Sequence, residues 1–220
     1  MKKYWVPLTI VVALVLDQAL KFWVKTNMYL TEEFWVLGQS WFRIHFIENE
    51  GMAFGLSFWG TTGKVLLTLL RIAAVIFISV YLRKLILRKA HWGLVLSMTL
   101  ILAGAVGNII DSVFYGVLFS ESDWRTGNVA SFLPDGGGYA PLLQGKVVDM
   151  FFFPLFHGRF PEWLPLMGGK EFLFFRPVFN LADSYITVGV AIILLFQRKF
   201  FPKHESKPEE PASPSPEANP

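Results

Sequence analysis

The run Trp92–Leu118, WGLVLSMTLILAGAVGNIIDSVFYGVL, carries one charge, Asp111, in a stretch long enough to cross a membrane as a helix. A carboxylate in such a run is costly, so it must face a protein interior or a wet cavity, and it is a functional candidate by default. Asn108 lies three residues before Asp111, on the same helical face, where it can hydrogen-bond and orient the acid. The pattern returns at Asn180-Leu-Ala-Asp183, at the mouth of a second apolar run. Two walls of one polar site are the arrangement this implies.

Composition agrees. Of 220 residues, 53% are hydrophobic and 17% charged, too little charge for a soluble domain of this size. Four runs have the length of membrane helices: about Tyr4–Val24, Thr62–Leu82, Trp92–Leu118 and Val178–Phe196. Trp5, Trp23, Trp59, Trp92 and Tyr115 fall near their ends, where amphipathic rings favour the interface. The absence of cysteine excludes disulfides and thiol catalysis. The net charge of +3 clusters beside the apolar runs and is not a nucleic-acid signal.

That clustering orients the chain. Lys2 and Lys3 precede the first run, Arg83, Lys84, Arg88 and Lys89 lie between the second and third, and Arg198, Lys199 and Lys203 follow the fourth. The loop after the first run instead carries Glu32, Glu33, Glu48 and Glu50. Positive-inside logic places both termini in the cytoplasm and residues 25–61 and 119–177 outside. The N-terminus imitates a signal peptide. It is long, contains Asp17 and lacks a small-x-small cleavage site, so it reads as a retained span. Residues 1–201 form the expected membrane domain. Residues 202–220, rich in Pro, Glu and Ser, read as a disordered cytoplasmic tail.

The outer segments carry structure of their own. Residues 34–47 are aromatic and β-branched around a Gly38-Gln39-Ser40 turn, as in a hairpin. Residues 145–151 read as a strand, and Pro134–Gly138 as a turn rather than a phosphate cradle. With this topology Asp17, Asp111, Asp149 and Asp183 converge at one depth near the outer surface, with Lys21 one turn beyond Asp17 on the same face. Gly104, Asn108 and Asp111 form one small and polar stripe, and Asn180, Asp183, Ser184 and Thr187 another. Such stripes can simply hold helices together; four acids at one level favour function.

Two close carboxylates do not both ionise cheaply. One can deprotonate a water for attack on an amide carbonyl, and the other can protonate the departing nitrogen. No cofactor is required. His45, His91, His157 and His204 are scattered without metal-ligand spacing, which speaks against zinc. Ser57 lacks the following glycine of a nucleophile elbow.

Five blocks taken together resemble the bacterial lipoprotein signal peptidase (signal peptidase II) family. They are Asp17-Gln-Ala-Leu-Lys21, Asn49-Glu-Gly-Met-Ala-Phe-Gly55, Gly104-Ala-Val-Gly-Asn108-Ile-Ile-Asp111, Gly145-Lys-Val-Val-Asp149 and Phe179-Asn-Leu-Ala-Asp183. Each is weak alone; the ordered set is specific. The resemblance implies an all-α polytopic membrane protein of four transmembrane helices with a small extracytoplasmic β-cradle. It assigns Asp149 and Asp183 as a catalytic pair, with Asp17, Lys21, Asn49, Gly51, Asn108, Asp111 and Asn180 as supporting or substrate-contacting positions. It further implies cleavage of diacylglyceryl-modified prolipoproteins just before the lipidated cysteine. The implied setting is the bacterial inner membrane, with an active site near the outer leaflet. Expected partners are those substrates, membrane lipids and globomycin-type inhibitors, with no nucleic acid and the chain acting as a monomer.

Two departures from the family pattern stand out. An arginine usually follows the Asp of the third block, and here the residue is Ser112. Arg71, deep in the second run, needs a partner; it is expected to replace that cation or to pair with Asp17 or Asp111, the plain alternative being packing or snorkelling. The Phe119–Gln144 stretch is longer than the family's connection. With residues 151–156 and 172–175 it is expected to make an aromatic surface, lying on the membrane, lining the substrate entrance, or packing an enlarged outer domain. The rival classes are a proton-coupled transporter, against which the single depth of the acids and the lack of an inverted repeat speak, and a non-enzymatic scaffold.

Overall fold

Helix α3 (Trp92–Ile110) is the axis of the molecule: α1 (Trp5–Asn27), α2 (Gly60–Leu87) and α5 (Leu181–Leu195) all pack against it. The computed structural model describes residues 4–51 and 60–201. Lys2, Lys3, Gly55, Ser57, Trp59 and the tail 202–220 lie outside the described residues.

Among the described residues, three helices are long and apolar enough to cross a membrane: α1, α2, and α3 continued to Leu118. Their outward faces carry large exposed hydrophobics such as Leu8, Val15, Leu70 and Phe77, while Asp17, Lys21, Thr68, Ser97 and Asp111 are buried. That inversion of the soluble pattern suits a lipid solvent, in which polar groups must find partners inside the protein. Ser97 and Thr99 donate their hydroxyls to the Gly93 and Val95 carbonyls one turn earlier.

The fourth apolar run begins differently from its expected course. Val178-Phe179 (β6) pairs with a strand, Asn180 becomes the N-cap, and helix α5 starts only at Leu181 and spans 15 residues. Its continuation α6 (Gln197–Phe200) sets Phe200 against His91. Close approach of α5 to α3 depends on small residues. A Cβ at Gly104 would lie 2.2 Å from the Ala182 carbonyl oxygen, and one at Gly189 would lie 2.7 Å from that of Ser97.

The end of α3 is remodelled. Asp111–Tyr115 form a π turn, followed by one more α turn, α4 (Gly116–Leu118). The carbonyls of Ser112 and Val113 there accept the amides of Gly145 and Leu143. A Cβ at Gly145 would lie 2.0 Å from the Asp111 carbonyl oxygen. Glycine therefore lets the chain run directly over the π turn into strand β3 (Val147–Phe152). π turns of this kind concentrate at functional sites.

β3 belongs to an antiparallel sheet ordered β1 (Glu33–Trp35), β2 (Arg43–Asn49), β3, β6. The hairpin expected over 34–47 is β1–β2. Phe46, Val148 and Met150 from this sheet, Val24 and Met28 from α1, and Tyr115 and Phe119 from the end of α3 form one buried cluster. A second cluster, with Val6, Leu82, Leu85 and Leu94, closes the opposite end of the bundle.

The long 119–144 stretch folds back on α4, with bridges Phe119–Phe132 and Asp123–Asn128, and Phe119 is buried. The aromatic segments divide. Phe42, Phe151, Phe153 and Phe179 pack ring against ring on the sheet. Strands β4 (Phe156–Arg159) and β5 (Glu171–Phe174) form a separate hairpin with Phe156 and Phe174 exposed.

Candidate active site

The site is assembled where α1, α3, β2, β3 and the start of α5 meet. Asn180, as N-cap, accepts the Asp183 backbone N–H at 2.9 Å, and the Asp183 carboxylate accepts the Asn180 N–H at 3.3 Å. This capping box fixes the Asp183 side chain at the helix start. A second donor, Asn108 Nδ2, reaches Asp183 Oδ1 at 2.8 Å. Asp183 is half-buried.

Asp149 sits in β3, 3% exposed. Asn180 Nδ2 donates to its Oδ1 at 2.7 Å and Asn49 Nδ2, from the end of β2, to its Oδ2 at 3.1 Å. Burial first, and then the charge of Asp183, push the Asp149 carboxyl up to about 7; the Asn49 and Asn180 hydrogen bonds and Lys21 oppose the shift. A carboxyl that keeps its proton near neutrality beside a second, more exposed carboxylate is the electrostatic division an acid and a base require.

Behind the pair lies a fully buried ion cluster. Lys21 Nζ reaches Asp17 Oδ2 at 3.0 Å, Asp111 Oδ2 at 2.8 Å and Asn108 Oδ1 at 2.9 Å. Asp17 Oδ1 accepts the Ala182 N–H at 2.9 Å, so α1 grips the first turn of α5. Asp111 Oδ2 accepts the Val148 N–H, one residue before Asp149. Asn108 joins the halves: its Oδ1 receives both Lys21 and Asn180, and its Nδ2 holds Asp183. Of the two stripes expected from sequence, Asn108 meets Asn180 and Asp183, whereas Gly104 lies against Ala182 and Ile186 and Thr187 is exposed; the four acids form two linked pairs.

Of the two expectations for Arg71, pairing with Asp17 or Asp111 does not occur, and Lys21 lies against both acids; the other, a cation at position 112 supplied from the second run, agrees with where its tip lies. Its guanidinium reaches Ser112 Oγ at 3.3 Å and the Gly51 carbonyl at 3.2 Å. Gly51, at φ +75°, also donates its N–H to Asn49 Oδ1 at 2.7 Å. Gln18 and Tyr115 are site residues the motif reading did not single out. Gln18 Nε2 donates to Asp111 Oδ1, Asp17 Oδ2 and the Gly107 carbonyl, and its Oε1 accepts the Tyr115 hydroxyl. The available signal was an amide adjacent to an intramembrane Asp.

Comparison with known proteins points the same way. The family profile described as Signal peptidase (SPase) II matches residues 9–199. The chain is 50% identical over 192 residues to the lipoprotein signal peptidase of Porphyromonas gingivalis, covering 84% of this chain and 79% of that protein. It is 39% identical over 193 residues to that of Amoebophilus asiaticus, covering 84% and 74%. Two solved bacterial membrane enzymes, determined by the in meso method, share the fold. One has a TM-score of 0.53 at 22% identity, covering 92% of this chain and 93% of that one; the other has 0.55 at 24%, covering 88% and 92%. A bundle of apolar helices, a small sheet at one end and a buried polar site between them thus occur in a chain that belongs to the lipoprotein signal peptidase (signal peptidase II) family.

Proposed function

We propose that this chain is a membrane aspartic endopeptidase that removes the signal peptide from diacylglyceryl-modified prolipoproteins, cutting just before the lipidated cysteine. The observation that carries this reading is that one residue, Asn180, holds both Asp149 and Asp183. Each carboxylate has fixed donors, and water can occupy the remaining lone-pair directions. In the proposed reaction Asp183 takes a proton from a water lying between the pair. The hydroxide attacks the scissile carbonyl, and Asp149 protonates first the carbonyl oxygen and then, after proton return, the departing nitrogen. The deeper burial of Asp149 than of Asp183 supports this division of roles.

The setting suits the substrate. A signal peptide crosses the membrane as a helix, whereas a protease needs extended backbone. In this reading the 15-residue α5 is the fourth membrane helix, the sheet β1-β2-β3-β6 is the cradle above the outer leaflet, and both termini are cytoplasmic. The exposed flanks of the bundle receive lipid and the diacylglyceryl chains, and globomycin-type inhibitors compete there. A single chain carries the whole site, consistent with a monomer.

The test is cleavage of a diacylglyceryl-modified prolipoprotein by purified wild type, Asp149→Asn and Asp183→Asn, with folding followed by thermal melts. Loss of roughly 10²–10⁴-fold or more in both folded variants is expected. Substantial cleavage by either variant would remove that aspartate from the mechanism. A folded but inactive wild type would return the site to a proton-relay role in a transporter.

A further inference from the structure

Helix α2 brings one charge to the site. Arg71 is half-buried in the middle of a long apolar helix, where an unpaired guanidinium would be costly. It makes no carboxylate ion pair among the described residues; both of its hydrogen bonds go to neutral acceptors, Ser112 Oγ and the Gly51 carbonyl. These two acceptors begin two short chains of contacts. From Gly51 the path runs through its N–H to Asn49 Oδ1, and from Asn49 Nδ2 to Asp149. From Ser112 it runs through the hydroxyl to the Asn108 carbonyl, and from Asn108 Nδ2 to Asp183. One planar fork therefore stands equally far, in bonded steps, from each carboxylate.

The fit around the fork is close. A Cβ at Gly51 would lie 2.7 Å from both Nη1 and Nη2, and the backbone there is in the left-handed region. Glycine at this position thus serves the approach of Arg71 as well as the turn. The guanidinium is also near enough to Asp183 and Asp149 for their charges to act on it. Snorkelling, in which a long cation stretches toward water, does not account for two inward contacts on different elements.

We propose that Arg71 is a positioning residue for the aspartate pair: its fork locks the rim at Gly51 to the π turn at Ser112, and its charge favours the state with one carboxylate ionised. The cation comes from α2 rather than from position 112, beside which its tip lies. Lysine would keep the charge but could not hold both acceptors in a fixed plane. The inference rests on the peptidase reading and refines it.

The experiment uses full-length wild type, Arg71→Lys, Arg71→Gln and Ser112→Ala, each checked by thermal melting. Steady-state cleavage of a diacylglyceryl-modified prolipoprotein is followed from mildly acidic to mildly alkaline pH. Arg71→Gln should lose roughly 10–100-fold in kcat with little change in KM. Both limbs of its pH profile should move to higher pH, because loss of a positive charge makes each carboxyl harder to ionise. Arg71→Lys should keep the limbs in place yet lose part of kcat, and Ser112→Ala should lose kcat without moving the limbs. A purely structural Arg71 would lower the melting point and leave the limbs where they are. Wild-type cleavage tests the peptidase reading itself. Arg71→Gln with wild-type kcat and wild-type limbs overturns the present inference and leaves that reading standing. Should Arg71→Gln fail to fold, wild-type kcat in both Arg71→Lys and Ser112→Ala overturns it equally.

Discussion

Asn180 Nδ2 donates to Asp149 Oδ1 at 2.7 Å although the two residues lie on different elements, a helix cap and a sheet strand. The same side chain caps α5 through the Asp183 N–H. Helix capping and alignment of the aspartates are therefore one interaction, and the substitutions Asn180→Asp and Asn180→Ala separate its parts. Asn180→Asp retains an N-cap acceptor but places a third carboxylate against Asp149. It should fold with a melting point near wild type at mildly acidic pH, yet lose roughly 10²-fold or more in cleavage. Asn180→Ala should lose activity as well and also about 1 kcal/mol of stability. Near-wild-type cleavage by the folded Asp variant would show that the amide is only a cap.

Asp149 links activity to stability. Its carboxyl is held up to about 7 by burial and by Asp183, against an ordinary value of 3.8. Above pH 7 the folded state must carry a buried charge that the unfolded chain carries in water. Stability contributed by the protonated form is therefore complete below about pH 4 and lost as pH rises through about 7. Asp149→Asn cannot ionise. It should abolish cleavage and, at alkaline pH, raise the melting point and add at most about 4 kcal/mol of stability, with the gain vanishing toward pH 4. Melts that show the same difference at both ends of the range would contradict this.

Asn49 bears on the same group with a definite sign. Its Nδ2 hydrogen bond stabilises the Asp149 carboxylate and opposes the upward shift. If Asp149 works as the acid, cleavage falls on the alkaline side as it loses its proton. Asn49→Ala should therefore move the alkaline limb of the rate profile to higher pH while lowering the maximum rate. A limb that stays in place, or moves down, would assign it to another group.

The membrane runs and the polar motifs were legible because intramembrane charge has so few explanations. Asp17, Lys21 and Asp111 could be singled out by charge and depth, and Asn108 and Asn180 by their spacing to an acid; the structure brings them together. The start of α5 was not legible. Val178-Phe179 is as apolar as the helix after it, and only pairing with Phe151-Phe152 makes it a strand. Gln18 escaped because its role depends on reaching Asp111 on another helix. For Arg71 the departure at position 112 pointed to Ser112, whose hydroxyl it does contact, while its second acceptor, the Gly51 carbonyl, depends on a backbone turn that residue identity alone does not show. The π turn at Asp111 was not read from the sequence either; its carbonyls accept amides from the distant segment around Gly145.

Lys21 bridges two buried carboxylates and carries no exposed surface. Removing the cation leaves Asp17 and Asp111 facing one another without compensation. Lys21→Met should destabilise the protein by about 3–5 kcal/mol, the usual cost of breaking a buried charge network on one side. Adding Asp111→Asn to that variant should recover part of the loss, because one uncompensated charge disappears. The measurement is the melting point of the single and double variants in the same detergent. A double variant no more stable than Lys21→Met would show that packing, rather than charge balance, is what Lys21 supplies.

Gly104 tests whether helix spacing sets the catalytic geometry. Any Cβ there meets the Ala182 carbonyl oxygen at 2.2 Å and Ile186 at 2.8 Å. The backbone contact cannot be relieved by a rotamer change, so α5 must move away from α3 at the turn that bears Asp183. Overpacking of this kind costs about 1–3 kcal/mol, and displacement of an aspartate by about 1 Å can cost roughly 10²-fold in rate. Gly104→Ala should show both losses, with kcat falling more than KM rises. Gly136→Ala is the matched control, since a Cβ at that position meets nothing within 4 Å, and both its melting point and its kcat should stay at wild-type values. Full activity in a folded Gly104→Ala enzyme would mean that α5 can shift without moving Asp183, and that the capping box and Asn108, rather than helix packing, hold the carboxylate in place.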